Sequence, residues 1–348
     1  MRIARTSKTA NRSPVLQEAA MSITMKQIAD LAEVSTATVS KIINGRDEHI
    51  SQATREKVLS IIEENNFSPN TVAKGLRVKK TSTIGFVLPD ITNPFFPEIA
   101  RGIEDVANKM GFAVVFCNTD NEADREQACV SFLQSKMVDG LIFTRSLKKS
   151  FFDNYLAKNI PTVVVDRDVD TAGSGIGKVY IDTRAAVYDL TKLFIEKGCR
   201  RIAFISALSG SQTDRYGGYR RALEEGGIPL DEEIVYREHY SVETGYRGAA
   251  LILGKTKVDG IVCGNDLIAA GAMQAIRQAG LAIPQDVRIA GVDNIYFSNF
   301  LYPPLTTVEQ PAYEMGRAAA RMLIQNILYG EPMREEKMEY KLILRETV

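Results

Sequence analysis

Apolar residues recur at helical spacing through residues 25–66 and predict three short helices. In the first helix the apolar positions are Ile28, Ala29, Leu31 and Ala32. The signals that end or begin these helices are, in chain order, a break at Glu33-Val34, a cap at Ser35 or Thr36, Asn44-Gly45, Ser51 and Asn65-Asn66. This part of the chain is therefore expected to be a small all-helical domain.

From residue 83 the pattern changes to short apolar runs that alternate with amphipathic helices. Because these runs are apolar on both faces, they predict strands of parallel sheets that helices cover on both sides. The predicted strands include Ile84–Leu88, Ala113–Phe116, Gly140–Phe143, Thr162–Val165, Arg201–Ile205, Gly260–Cys263, Val287–Gly291 and a final strand at Tyr340–Leu344.

This α/β region repeats itself along the chain. The run Lys136–Ile142 recurs as Lys257–Val262, and Ile84–Val87 resembles Ile202–Ile205 at a similar separation. Two βα lobes of the same order predict a two-lobed body with a cleft between the lobes. Ligands of such sheets bind at the carboxyl ends of the strands, which are expected to face the cleft.

Charge is unevenly distributed, although the formal net charge of the chain is zero. Residues 1–80 carry 13 Lys/Arg against 8 Asp/Glu, whereas the other 268 residues carry 30 against 35. A basic end on an acidic body would direct a nucleic-acid partner to that end.

The remaining composition argues against several classes of protein. Four scattered cysteines and two histidines offer no zinc-ligand spacing, so we expect no metal and no cofactor. No apolar stretch approaches the roughly 20 residues of a membrane span. Residues 1–22 lack the apolar segment of a secretion signal and are expected to be a disordered extension or a misassigned start. The protein is therefore expected in the cytoplasm.

One glycine-rich run invites a different interpretation. Gly173–Lys178 faintly resembles a phosphate-binding loop, but Ala172 and Val179 occupy positions where that motif requires Gly and Ser or Thr. We predict a flexible loop here.

The segment from Met25 to Asn44 has the spacing of a helix-turn-helix. Ala29 is small where two helices would cross, and Val34 would fill the turn. The outward positions of the second helix are short, polar or cationic, as a helix that enters the major groove requires. They are Thr36, Ala37, Ser40 and Lys41. A helical hairpin with a solvated face has the same spacing and remains an alternative at this point.

Several separate motifs resemble one known family. They are IADLAEVSTATVSKIING, ISQATREKV, FSPN and VAKGL near the start, and NPFF, VDGLI, GND, GVDN and PPLTTVEQP in the body. Together they span residues 23–346, and the chain resembles the lactose-repressor/galactose-repressor family of bacterial transcription regulators. The resemblance implies a helix-turn-helix headpiece, a hinge helix, and an α/β core of two Rossmann-like lobes similar to periplasmic binding proteins.

The resemblance implies roles for residues of the headpiece. Thr36, Ala37 and Lys41 match positions that read base edges in the major groove, and Lys41 departs from the arginine often found there. Lysine is a point charge without the bidentate fork of arginine, which leaves the preferred base open. The other expected DNA contacts in this part are Thr38, Ser40, Asn44 and Arg55, with hydroxyl groups suited to phosphate oxygens.

The segment NTVAKGLRVKK matches the family's hinge helix. Leu76 matches the leucine that wedges into the minor groove and bends the DNA, and Asn70 and Ala73 match its neighbours. A free helix this short, with Gly75 inside it, would not be stable in water. We therefore expect it to fold only on DNA, beside its twin in a dimer. An ordinary packing role for Leu76 is the alternative.

In the body, Arg215, Asn265 and Asp293 follow predicted strands and match the family's effector-contacting residues. A guanidinium, an amide and a carboxylate together can bind the hydroxyl groups of a sugar. Phe95, Asp166 and Tyr240 complete the expected effector site. Taken singly, an Asp or Asn at the end of a strand is as readily a helix cap.

The implied domains are a headpiece at 23–68, a hinge at 69–80, and two lobes of the effector-binding core. The first lobe takes 81–180 and 311–338, and the second takes 181–310 and 339–348. We expect a homodimer that binds a palindromic operator in double-stranded DNA and functions as a repressor. A dimer is preferred to a tetramer because no leucine heptads follow the final strand.

Two other functions share parts of this pattern. A periplasmic solute-binding receptor has the two-lobed core, but would need a signal peptide and would not need residues 25–80. An enzyme would need a metal cluster, a phosphate loop or a nucleophile with its base, and none is recognisable. The sequence leaves open whether the effector is a sugar, a sugar phosphate or a nucleoside, and whether it releases or strengthens DNA binding.

Overall fold

The computed structural model of the chain describes residues 23–67, 80–144, 160–166, 175–208 and 215–348. The chain divides into two compact units, Met1–Val78 and Lys79–Val348. Residues 1–22 and 68–79, which include the expected N-terminal extension and nearly all of the expected hinge, lie outside the described residues.

The described part of the first unit, residues 23–67, contains three helices. They are α1 (Met25–Ala32), α2 (Thr36–Ile43) and α3 (Gln52–Glu64). Each begins at a hydroxyl side chain that accepts a hydrogen bond from the backbone N–H three residues on, and these caps are Thr24, Ser35 and Ser51. Glu33, in the left-handed region at φ 60°, ends α1 and turns the chain towards α2.

A small apolar core joins the three helices. Ile28, Ala29 and Ala32 of α1 pack against Val39 and Ile42 of α2 and Val58 of α3. Because these residues alternate with polar ones at helical spacing, the opposite faces of the helices remain in water. The predicted three-helix domain is confirmed, with boundaries within two residues of those expected.

The described residues of the second unit form two six-stranded sheets flanked by helices. The strands are β1 (Thr83–Leu88), β2 (Ala113–Asn118), β3 (Gly140–Phe143), β4 (Thr162–Val165), β5 (Gly177–Ile181), β6 (Ile202–Ala207), β7 (Val235–Glu238), β8 (Gly260–Cys263), β9 (Arg288–Asp293), β10 (Thr306–Glu309), β11 (Glu335–Met338) and β12 (Lys341–Ile343). The helices are α4 (Phe95–Lys109), α5 (Ala123–Ser135), α6 (Thr183–Glu196), α7 (Arg215–Glu225), α8 (Val242–Lys255), α9 (Asp266–Gln278) and α10 (Ala312–Tyr329).

The two sheets have the same internal order. The first runs β11-β5-β4-β3-β1-β2 and the second β12-β10-β9-β8-β6-β7. Their strands pair in parallel except that β12 pairs antiparallel with β10. The central strands are buried along their whole length, for example at β3 and β8. This is the doubly wound α/β architecture that the repeated runs predicted.

The chain passes between the sheets three times. It leaves the first sheet after β5, returns from β10 through α10, which packs on α4 and on β3 to β5, and crosses again between β11 and β12. We call the body around the first sheet the first lobe and the body around the second sheet the second lobe.

Two short buried strands and two edge strands were not predicted. The prediction omitted β5, β7, β10 and β11, and Gly177 and Lys178, expected in a loop, begin strand β5. The glycines before β5 concealed its short apolar run, and β7 and β11 are edge strands with few buried side chains.

Candidate DNA-binding face and ligand cleft

The second helix of the first unit presents one polar face. Thr36, Ala37 and Lys41 are exposed, whereas Val39 and Ile42 point into the core. The exposed side chains are short apart from Lys41, so the backbone of α2 can approach a groove closely. Among the described residues Lys41 forms no ion pair, which suits a contact with a base or phosphate.

The other predicted contacts of this unit also serve its own structure. The Thr38 hydroxyl lies 2.9 Å from that of Ser35, next to the cap of α2. The Asn44 amide donates to the Ser40 carbonyl oxygen at 2.6 Å, and thereby closes the end of α2. Arg55 binds Asp47 at 2.6 Å, although more than half of its side chain is exposed. These groups are held in place before any ligand arrives.

The basic excess near the start of the chain lies outside the three helices. The described part, residues 23–67, carries seven Asp/Glu and only five Lys/Arg, and the basic residues are Lys26, Lys41, Arg46, Arg55 and Lys57. The excess of basic over acidic residues is confined to residues 1–22 and 68–80. The predicted hinge residues Asn70, Ala73 and Leu76 lie in the second of these segments, outside the described residues.

The six predicted effector residues meet at one cavity between the lobes. The cavity has about 390 Å³ of space not filled by protein atoms, including the part open to solvent. Its lining contains Phe95 and Asp166 from the first lobe and, from the second, Arg215, Tyr240, Asn265 and Asp293. The residues come from the carboxyl ends of strands in both sheets, where doubly wound folds bind ligands.

Arg215 and Asp293 form the polar centre of this cleft. Both are buried, and Nη2 of Arg215 lies 3.4 Å from Oδ1 of Asp293. The guanidinium also lies 5.1 Å from the centre of the Tyr240 ring. Its Nε has no hydrogen-bond partner among the described residues. A buried donor without a partner is costly, and an incoming hydroxyl could satisfy it.

The charge state of this pair is set by burial. Burial raises the pKa of Asp293 to about 8, the neighbouring carboxylates of Asp266 and Asp166 add to the rise, and Arg215 opposes it. The pKa of Arg215 is raised above its ordinary value by Tyr240 and Asp293, although burial alone would lower it. The cleft therefore holds a permanent cation beside a carboxyl group whose ionisation is poised near neutral pH.

The other three side chains are oriented by the backbone around them. Asn265 is buried and its Oδ1 caps α9 through the Ile268 N–H at 3.0 Å, so it combines the capping and lining roles. Asp166 follows β4 at φ 74°, in the left-handed region. Phe95 begins α4, and its ring meets that of Phe96 edge to face at 5.4 Å.

The prediction omitted several residues of the cleft and its support. The lining also contains Pro89, Asp90, Asn93, Phe96 and Asn121. Behind it, the buried carboxylate of Asp266 accepts hydrogen bonds from Ile295, Ser298 and Thr307. The motif GND already contained Asp266, and NPFF contained Asn93 and Phe96.

The described residues contain neither a metal site nor a membrane-spanning helix. No group of three His, Cys, Asp or Glu side chains there could hold a metal ion. Among the same residues, no helix combines the length and the apolar character that crossing a bilayer requires.

Comparisons with known proteins agree with both parts of the structure. A family described as "Bacterial regulatory proteins, lacI family" matches residues 24–70, and a "Periplasmic binding protein-like domain" matches residues 191–348. The transcriptional regulator RegA of Clostridium saccharobutylicum is 39% identical, over 94% of this chain and 99% of its own. The ribose operon repressor of Halalkalibacterium halodurans is 38% identical, over 93% and 96%.

A solved structure shows the same architecture. The lac repressor dimer bound to operator and an anti-inducer is 25% identical, with a TM-score of 0.80 over 93% of this chain and 98% of that one. The helix-turn-helix, the two-lobed core and relatives this similar over nearly their whole length lead to one conclusion: the chain belongs to the lacI family of bacterial regulatory proteins and is a DNA-binding transcription regulator with an effector-binding core.

Proposed function

We propose that this regulator binds a palindromic operator as a homodimer and represses transcription. Its affinity for DNA changes when a sugar binds in the cleft. One observation carries the proposal: six side chains from both lobes converge on a single cavity, in a chain that also has a helix-turn-helix. Three relatives are named as repressors, two of them as ribose operon repressors. The protein would work in the cytoplasm, where operator DNA lies, and without catalysis or a cofactor.

The proposed domain division follows the sheets. Residues 23–68 form the DNA-binding domain and 69–80 the hinge. The first lobe takes 81–180 and 311–338, which include β1 to β4, β11 and all of β5 except its last residue, Ile181. The second takes 181–310 and 339–348. Closure of the lobes on an effector would alter the distance between paired hinges and so their ability to fold on DNA. Coupling of about 1–3 kcal/mol would change operator affinity about 5- to 150-fold.

A second copy of the chain has a surface on which to dock. Tyr296, Phe300 and Tyr302 follow β9 with 79%, 67% and 82% of their surfaces exposed. The rings of Tyr296 and Phe300 lie 5.3 Å apart. A cluster of exposed aromatic rings is costly in water and typical of protein interfaces. We assign this cluster to the dimer.

In the DNA-binding domain, we propose that Thr36, Ala37 and Lys41 read bases and that the hydroxyls of Thr38 and Ser40 contact phosphates. The remaining proposed contacts are Asn44, Arg55 and, in the hinge, Asn70, Ala73 and Leu76.

Lys41→Ala is expected to reduce affinity for a selected operator about tenfold and to relax its preference over random DNA. The operator is first selected from a randomised palindromic library, and binding is then measured by fluorescence anisotropy at 50 and 200 mM salt. Lys57→Ala is the matched control, since Lys57 lies on α3 and faces Glu33 at 3.6 Å. Unchanged preference in Lys41→Ala would remove Lys41 from base reading. If the unmodified protein bound the selected operator no more tightly than random DNA, the proposed function as a sequence-specific regulator would be wrong.

Arg215→Ala is expected to abolish the rise in melting temperature that an effector produces, because the variant loses the cation at the centre of the cleft. D-ribose is tested first, with other sugars, sugar phosphates and nucleosides beside it. Arg215→Lys keeps the positive charge but loses the two-pronged guanidinium donor, so the effector should still raise its melting temperature, by less than in the unmodified protein. Arg201→Ala, which breaks an exposed pair with Asp231, is the control. A full shift in Arg215→Ala would show that the effector binds elsewhere.

A further inference from the structure

Gln310 lies at one of the three passages between the lobes. It directly follows β10 of the second lobe, and Pro311 after it occupies the position before α10 of the first lobe. The side chain is buried, with 3% of the residue exposed. A buried amide at a crossing is costly unless its polar atoms are used.

The amide has one strong partner. Its Nε2 donates to Oδ1 of Asp293 at 2.7 Å, closer than Arg215 approaches the same oxygen. Its Oε1 has no hydrogen-bond partner among the described residues. The NH2 group therefore orients the amide on Asp293, and a hydrogen bond donated to this oxygen favours the ionised carboxylate over the protonated form.

The backbone that carries Asp293 is strained. Asp293 has φ 112° and Asn294 φ 52°, both in the region that side chains rarely adopt. The Asn294 amide donates to Glu309 at 2.8 Å and accepts from Arg345 at 2.7 Å. Strand β10 thus holds this turn through Glu309 and Thr307, since the Asn294 N–H also donates to the Thr307 hydroxyl at 3.3 Å. Gln310, directly after the strand, adds the hydrogen bond to Asp293. Strain of this kind persists only where surrounding contacts impose it.

We propose that Gln310 is a positioning residue of the effector site. Its amide holds the Asp293 carboxyl group ready for the effector and ties it to the strand at which the chain crosses to the first lobe. The inference rests on the proposed function in one respect, namely that Asp293 contacts the effector. A displacement of Asp293 on effector binding would be transmitted to α10 through the side chain of Gln310 and the peptide bond that follows it.

The role of Gln310 can be tested without an effector, through the pH dependence of stability that the charges around Asp293 produce. Arg215 favours its ionised form, whereas Asp166, Asp266 and burial oppose it, and the bond from Gln310 favours it. Because the pKa of Asp293 is raised, the folded chain holds a proton between about pH 4 and 8 that the unfolded chain has lost. Stability from this group therefore falls as the pH rises through that window. Because the hydrogen bond from Gln310 lowers the pKa of Asp293, its removal should extend this decrease in stability to higher pH.

Gln310→Met, which keeps the shape and removes the donor, is compared with the unmodified full-length protein by urea unfolding at pH 6 and pH 9. A rise of about one unit in the pKa of Asp293 would make the loss in the folding equilibrium constant about fivefold greater at pH 9. Gln285→Met, at an exposed position, should show no such difference. The same loss at both pH values would mean that Gln310 only fills space, and would overturn the proposal.

Two further measurements separate this inference from the proposed function. In an Asp293→Asn background, the pH-dependent part of the Gln310→Met effect should disappear, and its persistence would show that Gln310 acts on another group. With D-ribose, or whichever panel compound raises the melting temperature most, Gln310→Met should weaken binding and reduce the change in operator affinity. If no compound binds the unmodified protein, the proposed effector function fails, while the pH comparison still decides whether Gln310 positions Asp293.

Discussion

Replacement of Asp266 by alanine is expected to lower the free energy of unfolding of the core by about 3–5 kcal/mol. The fully buried carboxylate accepts from the Ile295 N–H at 3.0 Å, the Ser298 hydroxyl at 2.5 Å and the Thr307 hydroxyl at 2.6 Å. Alanine would leave three donors without their acceptor, together with a small cavity. Urea unfolding followed by circular dichroism measures the loss.

Asparagine at the same position separates hydrogen bonding from charge. Asp266→Asn keeps the shape and can still accept two of the bonds, so its loss should be much smaller than that of alanine. Burial raises the pKa of Asp266 to about 6. The folded chain therefore retains a proton between about pH 4 and 6, and the stability due to this group falls as the pH rises through that window. The asparagine variant lacks this fall.

The matched control for the alanine change is Asp286→Ala, because Asp286 is exposed. It accepts one backbone hydrogen bond, from Ala282 at 2.7 Å, and its removal should cost about 1 kcal/mol or less. If the two alanine variants lose equal stability, the buried network around Asp266 contributes nothing beyond an ordinary surface hydrogen bond.

The sequence predicted the buried strands well because their periodicity reports burial on both faces. Gly140–Phe143, Thr162–Val165 and Gly260–Cys263 are strands with the expected bounds. The edge strand β11, EEKM, carries no apolar run, since two of its side chains point into solvent. Its strand conformation depends on pairing with β5, a contact between residues more than 150 positions apart that local pattern does not encode.

Prediction of the cleft depended on one general rule, that ligands bind at the carboxyl ends of parallel strands. That rule, with the family resemblance, predicted Arg215, Asn265 and Asp293, and all three line the cavity. It could not predict Gln310 or the network of Asp266, because these residues act through partners that only the folded chain brings together. Their motifs were visible, but the hydrogen bonds that give them a role were not.

The close packing of α8 on α9 leads to a second large expected effect. The helices cross at two glycines: a Cβ on Gly271 would lie 1.9 Å from the Val242 carbonyl oxygen, and one on Gly245 would lie 1.9 Å from that of Ile268. Because backbone atoms cannot move aside as a side chain can, the helices would have to separate. Gly271→Ala is expected to cost about 3 kcal/mol or more, beyond the usual penalty of an overpacked core.

A glycine on the same helix pair provides a control of opposite sign. Gly254, near the end of α8, has no atom within 4 Å of an added Cβ. Alanine is the better helix former by about 1 kcal/mol, so Gly254→Ala should raise the free energy of unfolding while Gly271→Ala lowers it. Both are measured by urea unfolding of the full chain. Equal signs for the two variants would mean that helix propensity, and not the distance between α8 and α9, sets the stability of this part of the second lobe.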